Sequence, residues 1–237
     1  MGLFNTNHGV IVSCEVKTIE ELKKLVAATC SVEGVVGYKH GFMLGLGFGL
    51  KTVVDVMRDI TDLPVIYDHQ KAGTDIPAMG MEFAAAMKRA GVDSAIIFPQ
   101  AGPKTQEAFV KALLQQGVVP MVGGDMTHDG YLESEGGYIA AGAPEKMYEN
   151  GAKAGTEFFI VPGTKPAAIR KYAALLGGLT KPKFCMPGIG RQGGDIRTAF
   201  ESCQGNPAYA IIGTAIHSAA DMTTAAKKFC SEAMKFE

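Results

Sequence analysis

The chain has 237 residues, of which 47% are hydrophobic and 20% charged, and its formal net charge is -1. This composition is ordinary for a globular protein and provides enough apolar residues for one sizeable core. A charge this close to neutral argues against nucleic acid or an anionic membrane surface as the main partner. No run of about 18 apolar residues occurs, so no membrane-spanning segment is predicted.

The N-terminus and the cysteines indicate the compartment. Residues 1–9 lack a positive segment followed by an apolar one, so no secretory signal is expected. The five cysteines are odd in number and show neither the C-x-x-C spacing of zinc sites nor a disulfide framework. They are Cys14, Cys30, Cys185, Cys203 and Cys230. We therefore expect reduced, mostly buried thiols in a cytoplasmic protein.

Short apolar runs alternate with segments of helical spacing along the whole chain. The predicted strands cover residues 10–16, 35–39, 63–67, 94–98, 118–122, 157–161, 183–186 and 208–212. The first helix follows a Thr18 cap, and later helices are predicted over 53–60, 76–90, 105–116, 144–154, 165–176, 196–203 and 218–234. Residues 41–49 are expected to form a glycine-rich loop, and residues 123–142 a long loop.

Eight strand–helix units in one domain over residues 1–237 predict a (β/α)8 TIM barrel of the α/β class. The alternative is an open doubly wound sheet, whose first turn would carry G-x-G-x-x-G. Here residues 15–18 after the first strand read E-V-K-T instead. In a barrel the carboxyl ends of all strands meet at one face, so residues far apart in sequence are brought to one site.

Charged residues collect at the predicted strand ends. Glu15 follows the first strand, Lys39 ends the second, and the third is followed by D-H-Q-K-A-G-T-D-I-P over residues 68–77. In that stretch Asp68 and Asp75 bracket Lys71. Charges crowded beside an apolar core contribute little stability, so this grouping indicates a site at which a reaction needs charge.

The seventh strand is followed by P-G-I-G-R-Q-G-G-D over residues 187–195. Glycines allow the backbone to approach a ligand closely, and a helix begins just beyond them. The loops after the last two strands are the usual phosphate position in such barrels. These residues therefore predict an anion site.

Taken together, these segments resemble the orotidine 5'-phosphate decarboxylase family over nearly the whole chain. The matching motifs are K-H-G at 39–41, D-H-Q-K-A-G-T-D-I-P at 68–77, M-T-H at 126–128 and P-G-I-G-R-Q-G-G-D at 187–195. The resemblance implies decarboxylation of orotidine 5'-phosphate to uridine 5'-phosphate without a metal or organic cofactor. It also implies a homodimer with shared active sites.

The resemblance assigns a role to each matching residue. It makes Lys71 the acid that protonates C6 of the pyrimidine, with Asp68 beside the substrate carboxylate and Lys39 supporting Asp68. It makes Asp75 the carboxylate that reaches the neighbouring subunit's site. The predicted substrate-binding residues, some of which depart from the family pattern, are Glu15, Thr127, Pro187, Arg191, Gln192, Gly213 and Thr214.

The chain departs from the family pattern at several positions. Its motif reads D-x-x-K-x-x-x-D where the family has D-x-K-x-x-D, and Glu15 stands where the family has aspartate. The eighth strand is followed by Gly213-Thr214, where the family has G-R with a phosphate-binding arginine. Arg191 is the candidate to supply that charge. Met79 also replaces a hydroxyl residue thought to be donated across the dimer.

Two other functions stay open at the level of sequence. One is a metal-dependent sugar-phosphate decarboxylase or aldolase of the same barrel superfamily, although Lys39 stands near the position of a magnesium-binding acid. The other is an inactive nucleotide-binding paralogue, which the departures suggest.

Overall fold

The computed structural model describes residues 2–69 and 75–237 and shows a closed barrel of eight parallel strands. Each strand pairs with the next along the chain, and β1 pairs with β8 to close the barrel. The strands are β1 (His8–Ser13), β2 (Val35–His40), β3 (Val65–Asp68), β4 (Ser94–Ile97), β5 (Val119–Gly123), β6 (Phe158–Ile160), β7 (Lys183–Met186) and β8 (Ala208–Ile212). The predicted (β/α)8 fold is thus confirmed.

Ten α-helices are present in the described part of the chain. They are α1 (Ile19–Thr29), α2 (Phe42–Phe48), α3 (Leu50–Arg58), α4 (Gly80–Ala90), α5 (Pro103–Gln115), α6 (Ala143–Ala154), α7 (Pro166–Gly177), α8 (Ile196–Glu201), α9 (Thr214–His217) and α10 (Met222–Ala233). Short 3-10 turns cover Pro77–Met79, Glu133–Glu135 and Met234–Phe236. None of these helices is long and apolar enough to cross a membrane.

The core has two layers because side chains alternate along each strand. Residues such as Val10, Val12 and Tyr38 face outward and pack against the helices. Ile11, Ile66 and similar residues face the barrel interior. The amino-terminal end of the interior is closed by Phe4, whose ring centroid lies 5.6 Å from that of Phe158 and 4.5 Å from that of Tyr209.

Local sequence signals explain most helix boundaries. Thr18 and Glu21 form a reciprocal capping box at the start of α1, as the predicted Thr18 cap requires. α5 starts with Pro103 at its first position, where the missing N–H costs nothing. Gly117 follows the end of this helix with a positive φ of 71°, which glycine adopts without steric cost.

The prediction of a loop over residues 41–49 was wrong. Most of this segment is the helix α2, which Leu44 anchors through a fully buried side chain. Gly41 precedes the helix, and Gly49 ends it with a φ of 84°. The glycines therefore delimit a short apolar helix, and burial of Leu44 outweighs the low helix propensity of Gly45 and Gly47.

The predicted last helix was also placed wrongly at its start. α10 begins at Met222, because the side chain of Asp221 accepts a hydrogen bond from the backbone N–H of Thr224 at 3.0 Å and so caps the helix. Residues 218–221, which were predicted to be helical, instead separate α10 from the four-residue helix α9 after β8. The chain thus turns sharply at the carboxyl end of the barrel, beside Gly213.

Candidate active site

A pocket of about 620 Å³ opens at the carboxyl ends of the strands. Strand alternation determines which side chains line it. Ile11 faces the interior, so Ser13 and Glu15 follow it inward from the end of β1. The same alternation places Asp68 two residues beyond the inward-facing Ile66. The apolar interior of the barrel thus continues upward into a charged site.

The floor of this pocket holds a buried three-residue ion network. Lys39 Nζ lies 2.8 Å from Glu15 Oε1 and 2.8 Å from Asp68 Oδ2. Lys39 is 5% exposed and Asp68 is 2% exposed. Burial by itself lowers the pKa of Lys39, but the attraction of Asp68 and Glu15 outweighs it and the net pKa is raised. Lys39 is therefore a fixed cation at the centre of the site.

The predicted catalytic segment beyond β3 is only partly described. Lys71 lies outside the described residues, so its role as proton donor stays a prediction. Asp75 is exposed and its carboxylate accepts a hydrogen bond from the backbone N–H of Ile76 at 2.7 Å. The described residues that line this pocket do not include Asp75.

The opposite wall is built from the β5 exit and the loop after β7. Thr127 and His128 line it from β5, and Pro187, Arg191 and Gln192 line it from β7. Of the predicted substrate-binding residues, Gly213 and Thr214 line the same pocket from the end of β8. The structure thus brings all seven predicted substrate-binding residues to one cavity together with Lys39 and Asp68.

At Gly188 the loop after β7 packs against Thr127 at the β5 exit. A β-carbon added there would lie 2.9 Å from Thr127 Cγ2, 3.0 Å from Thr164 Cγ2 and 3.3 Å from Gln192 Oε1. Its φ of 91° is also one that side chains with a β-carbon rarely adopt. Only glycine therefore permits this packing of the β7 loop against Thr127.

The β7 loop holds its own shape through backbone hydrogen bonds. The N–H of Gly194 donates to the carbonyl of Gly188 at 3.1 Å, and the N–H of Gly190 donates to the carbonyl of Gly194 at 2.9 Å. The start of α8 is capped by Asp195, whose carboxylate accepts from the N–H of Thr198 at 3.0 Å. The hydrogen bond from the backbone N–H of Thr198 lowers the pKa of Asp195.

This cap corrects the predicted anion site. The prediction combined loop N–H groups with the free start of the following helix, but Asp195 already places a negative charge at that start. An anion is therefore left to the loop backbone and to cationic side chains. Arg191 lines the pocket, whereas Lys39 is engaged by two carboxylates.

Sequence reasoning missed the partners that Asp125 finds in a second polar cluster beneath the β5 exit. Asp125 lines the pocket, and its carboxylate accepts hydrogen bonds from Tyr172 and Lys165, which follow β6 some 40 residues later. Lys165 also contacts Glu135 in the long loop after β5. No motif connects these positions in the sequence, and only the fold brings them together. Ser13 and Phe98 were also missed, although strand alternation could have indicated both.

No group of three or more His, Cys, Asp or Glu side chains is placed to hold a metal ion in the described part of the chain. The four cysteines Cys14, Cys185, Cys203 and Cys230 are buried free thiols, as expected, whereas Cys30 is partly exposed.

A closed parallel (β/α)8 barrel with an ionic pocket at the strand carboxyl ends defines the class of barrel enzymes whose sites lie at that face. The model of the Orotidine 5'-phosphate decarboxylase / HUMPS family matches residues 9–229. The chain belongs to this family. No curated protein matches the chain by sequence.

Solved structures agree on the fold. Orotidine 5'-monophosphate decarboxylase from Methanocaldococcus jannaschii, complexed with the inhibitor BMP, is 20% identical, with a TM-score of 0.82 over 95% of this chain and 98% of that chain. The orotidine 5'-phosphate decarboxylase of Pyrococcus horikoshii OT3 is 24% identical, with a TM-score of 0.77 over 94% and 98%. UMP synthase from Leishmania donovani is 19% identical, with a TM-score of 0.78 over 94% of this chain and 52% of that chain.

Proposed function

We propose that the chain decarboxylates orotidine 5'-phosphate to uridine 5'-phosphate in the cytoplasm. The observation that carries the proposal is the buried Lys39 between Glu15 and Asp68 at the pocket, in the K-H-G segment that resembles the family motif. The network fixes Asp68 at the pocket floor, where it would lie against the substrate carboxylate. Repulsion between these two carboxylates would be relieved as carbon dioxide leaves.

Loss of carbon dioxide leaves an electron pair on C6 of the pyrimidine. An ammonium group near this carbon stabilises the developing charge and then donates its proton to form the C6–H bond. The family motif assigns this group to Lys71. Lys39 has a raised pKa and two carboxylate partners, so it holds its proton and acts as an electrostatic support.

The substrate phosphate would bind at the β7 and β8 exits. In this proposal Arg191 supplies the charge that the family obtains from an arginine in the place of Thr214. Arg191→Ala should weaken binding of uridine monophosphate much more than binding of uridine. Adding Thr214→Arg to this variant should restore tighter binding of uridine monophosphate than of uridine. Equal losses for both ligands would show that Arg191 does not bind the phosphate.

We also propose a homodimer in which Asp75 completes the partner's site. Exposed apolar side chains follow the neighbouring strands β2 and β3. Leu46 is 79% exposed on α2, and Ile76 is 61% exposed beside Asp75. Met79, just before α4, and Met81, in its first turn, are also exposed. Apolar side chains exposed beyond the ends of two adjacent strands are suited to bury against a second copy of the chain.

The alternative within the same family is a metal-dependent sugar-phosphate reaction. Lys39 argues against it, because an ammonium at the centre of the carboxylates repels a divalent cation. The test is the loss of orotidine 5'-phosphate absorbance with and without EDTA. Turnover that resists EDTA supports the decarboxylase. Tight uridine monophosphate binding without turnover would instead indicate an inactive nucleotide-binding paralogue.

A further inference from the structure

The cluster beneath the β5 exit has no role in the chemistry described above, although it reaches the pocket. Asp125 is 3% exposed, and a buried carboxylate is costly unless its oxygens are satisfied. Asp125 Oδ2 accepts a hydrogen bond from the Tyr172 hydroxyl at 2.9 Å. Its Oδ1 accepts from Lys165 Nζ at 3.1 Å and from the backbone N–H of Met126 at 2.7 Å. Three donors of the chain itself thus engage this carboxylate.

The backbone at the same residue is also held in place. The N–H of Asp125 donates to the Tyr148 hydroxyl at 3.1 Å, and this hydroxyl donates to the carbonyl of Ile160 on β6 at 2.8 Å. The rings of Tyr148 and Tyr172 lie 4.7 Å apart between centroids, on the neighbouring helices α6 and α7. Two outer helices therefore anchor the start of the β5 exit loop.

Lys165 extends this anchor to the far part of the loop. Its ammonium lies 3.1 Å from Asp125 Oδ1 and 2.7 Å from Glu135 Oε1, so it joins two carboxylates ten positions apart in one loop. Burial lowers the pKa of Lys165, but the hydrogen bonds that its ammonium donates to Glu135 and Asp125 outweigh this effect and the net pKa is raised. The link is therefore made by a cation that keeps its proton.

We propose that Asp125 is a positioning residue that presets Thr127 for the substrate ring. Thr127 lies two residues beyond Asp125, and its methyl group packs on Gly188 of the β7 loop. Thr127 is thus held between the Asp125 cluster on one side and Gly188 on the other. Asp125 itself is engaged by the chain's own donors and does not act as a base. This inference rests on the proposed function for the identity of the ligand.

A double-mutant cycle separates positioning from a general loss of stability. Tyr172→Phe removes one donor to Asp125 without touching the pocket. We expect it to lower kcat/KM for orotidine 5'-phosphate about tenfold in the wild-type background, and less than about twofold when Thr127 is already alanine. Asp125→Asn should show the same dependence on Thr127. Equal effects in both backgrounds would overturn the inference.

Tyr209→Phe is the matched control. Tyr209 is as buried as Tyr172 and loses a similar hydrogen bond, 2.8 Å to the carbonyl of Thr6, at the opposite end of the barrel. It should lower the melting temperature and leave kcat/KM within about twofold. Loss of kcat/KM in Asp125→Asn with none in Tyr172→Phe would show that Asp125 acts directly, which also contradicts the inference.

The same double-mutant cycle can be measured on the dissociation constant for uridine monophosphate. This measurement tests the role of Asp125 separately from the proposed decarboxylase function. A wild-type chain that binds this nucleotide without turning over orotidine 5'-phosphate would refute the proposed function. In that case non-additive changes in affinity would still support the role of Asp125, and additive changes would overturn it.

Discussion

Lys39 Nζ lies 2.8 Å from Asp68 Oδ2, and the two residues come from the adjacent strands β2 and β3. Both side chains are almost fully buried, and Glu15 contacts the same ammonium from β1. A buried pair of this kind contributes little net stability compared with apolar residues, but it fixes charge where the pocket floor needs it. This ion network is therefore better explained by a role in function than by a contribution to the stability of the fold.

Removal of Lys39 should be costly for both stability and activity. Lys39→Met takes the cationic partner from two carboxylates, one of them buried, and we expect a loss of about 3–5 kcal/mol in the free energy of unfolding. Denaturant unfolding measures it. The exposed pair of Lys51 and Asp55 offers the control, since Lys51→Met should cost no more than about 0.5 kcal/mol. If both substitutions lowered the free energy of unfolding equally, the buried ion network would not contribute more to stability than an exposed ion pair.

Gly188→Ala should impair the site through contact with Thr127. The added methyl group meets Thr127 and Thr164 at about 3 Å, and we expect kcat/KM to fall at least about tenfold. Gly193→Ala is the matched control in the same loop, because its φ of 90° is similar but no atom of the described residues lies within 4 Å of the added carbon. It should show only backbone strain of about 1–2 kcal/mol. Similar kinetic losses in both variants would assign the effect to strain alone.

His40 should make the protein less stable in acid. Its ring is fully buried, and burial first and the charge of Lys39 second lower its pKa to about 4. Among the described residues, no donor or acceptor lies in good hydrogen-bonding geometry with either ring nitrogen. The unfolded chain, with an ordinary pKa of about 6.5, binds the proton earlier, so stability falls as the pH drops from about 6.5 to about 4.

His40→Leu tests this by removing the titrating group at similar volume. The difference in unfolding free energy between wild type and variant should change by at most about 3 kcal/mol over this range, in the direction that favours the variant at low pH. His69→Leu, at a half-buried position, should change the profile less. If the unfolding free energies of the wild type and His40→Leu changed with pH in the same way, His40 would not be a neutral group whose pKa is lowered by burial.

The proposed dimer face predicts a difference between two exposed leucines. Leu46→Glu places a charge on the apolar surface of α2, whereas Leu179→Glu alters a leucine that is 44% exposed after α7. We expect light scattering to show dissociation of a dimer for Leu46→Glu only. A dimer that survives Leu46→Glu would place the interface elsewhere.

The strands and their exits could be predicted from the sequence because each strand is a short apolar run followed by a polar or glycine-rich segment. The same pattern brought Glu15, Lys39 and Asp68 together, since parallel strands converge at one end. Local composition misled at α2, where glycines suggested a loop although Leu44 packs into the core.

The contact of Lys165 with Asp125 depends on how β5 and β6 are set side by side, and no local pattern contains that information. The capping of α8 by Asp195 could have been predicted from the sequence, because aspartate directly before a helix is a strong cap signal.

The most direct test of the account is to incubate orotidine 5'-phosphate with the protein in heavy water containing EDTA and to analyse the product by mass spectrometry. We expect the wild type to release carbon dioxide and to give uridine 5'-phosphate with one deuterium at C6. Lys71→Ala should lose at least about 3 kcal/mol of transition-state stabilisation, a rate loss of more than a hundredfold. Turnover that disappears with EDTA, or that persists unchanged in Lys71→Ala, would contradict the account.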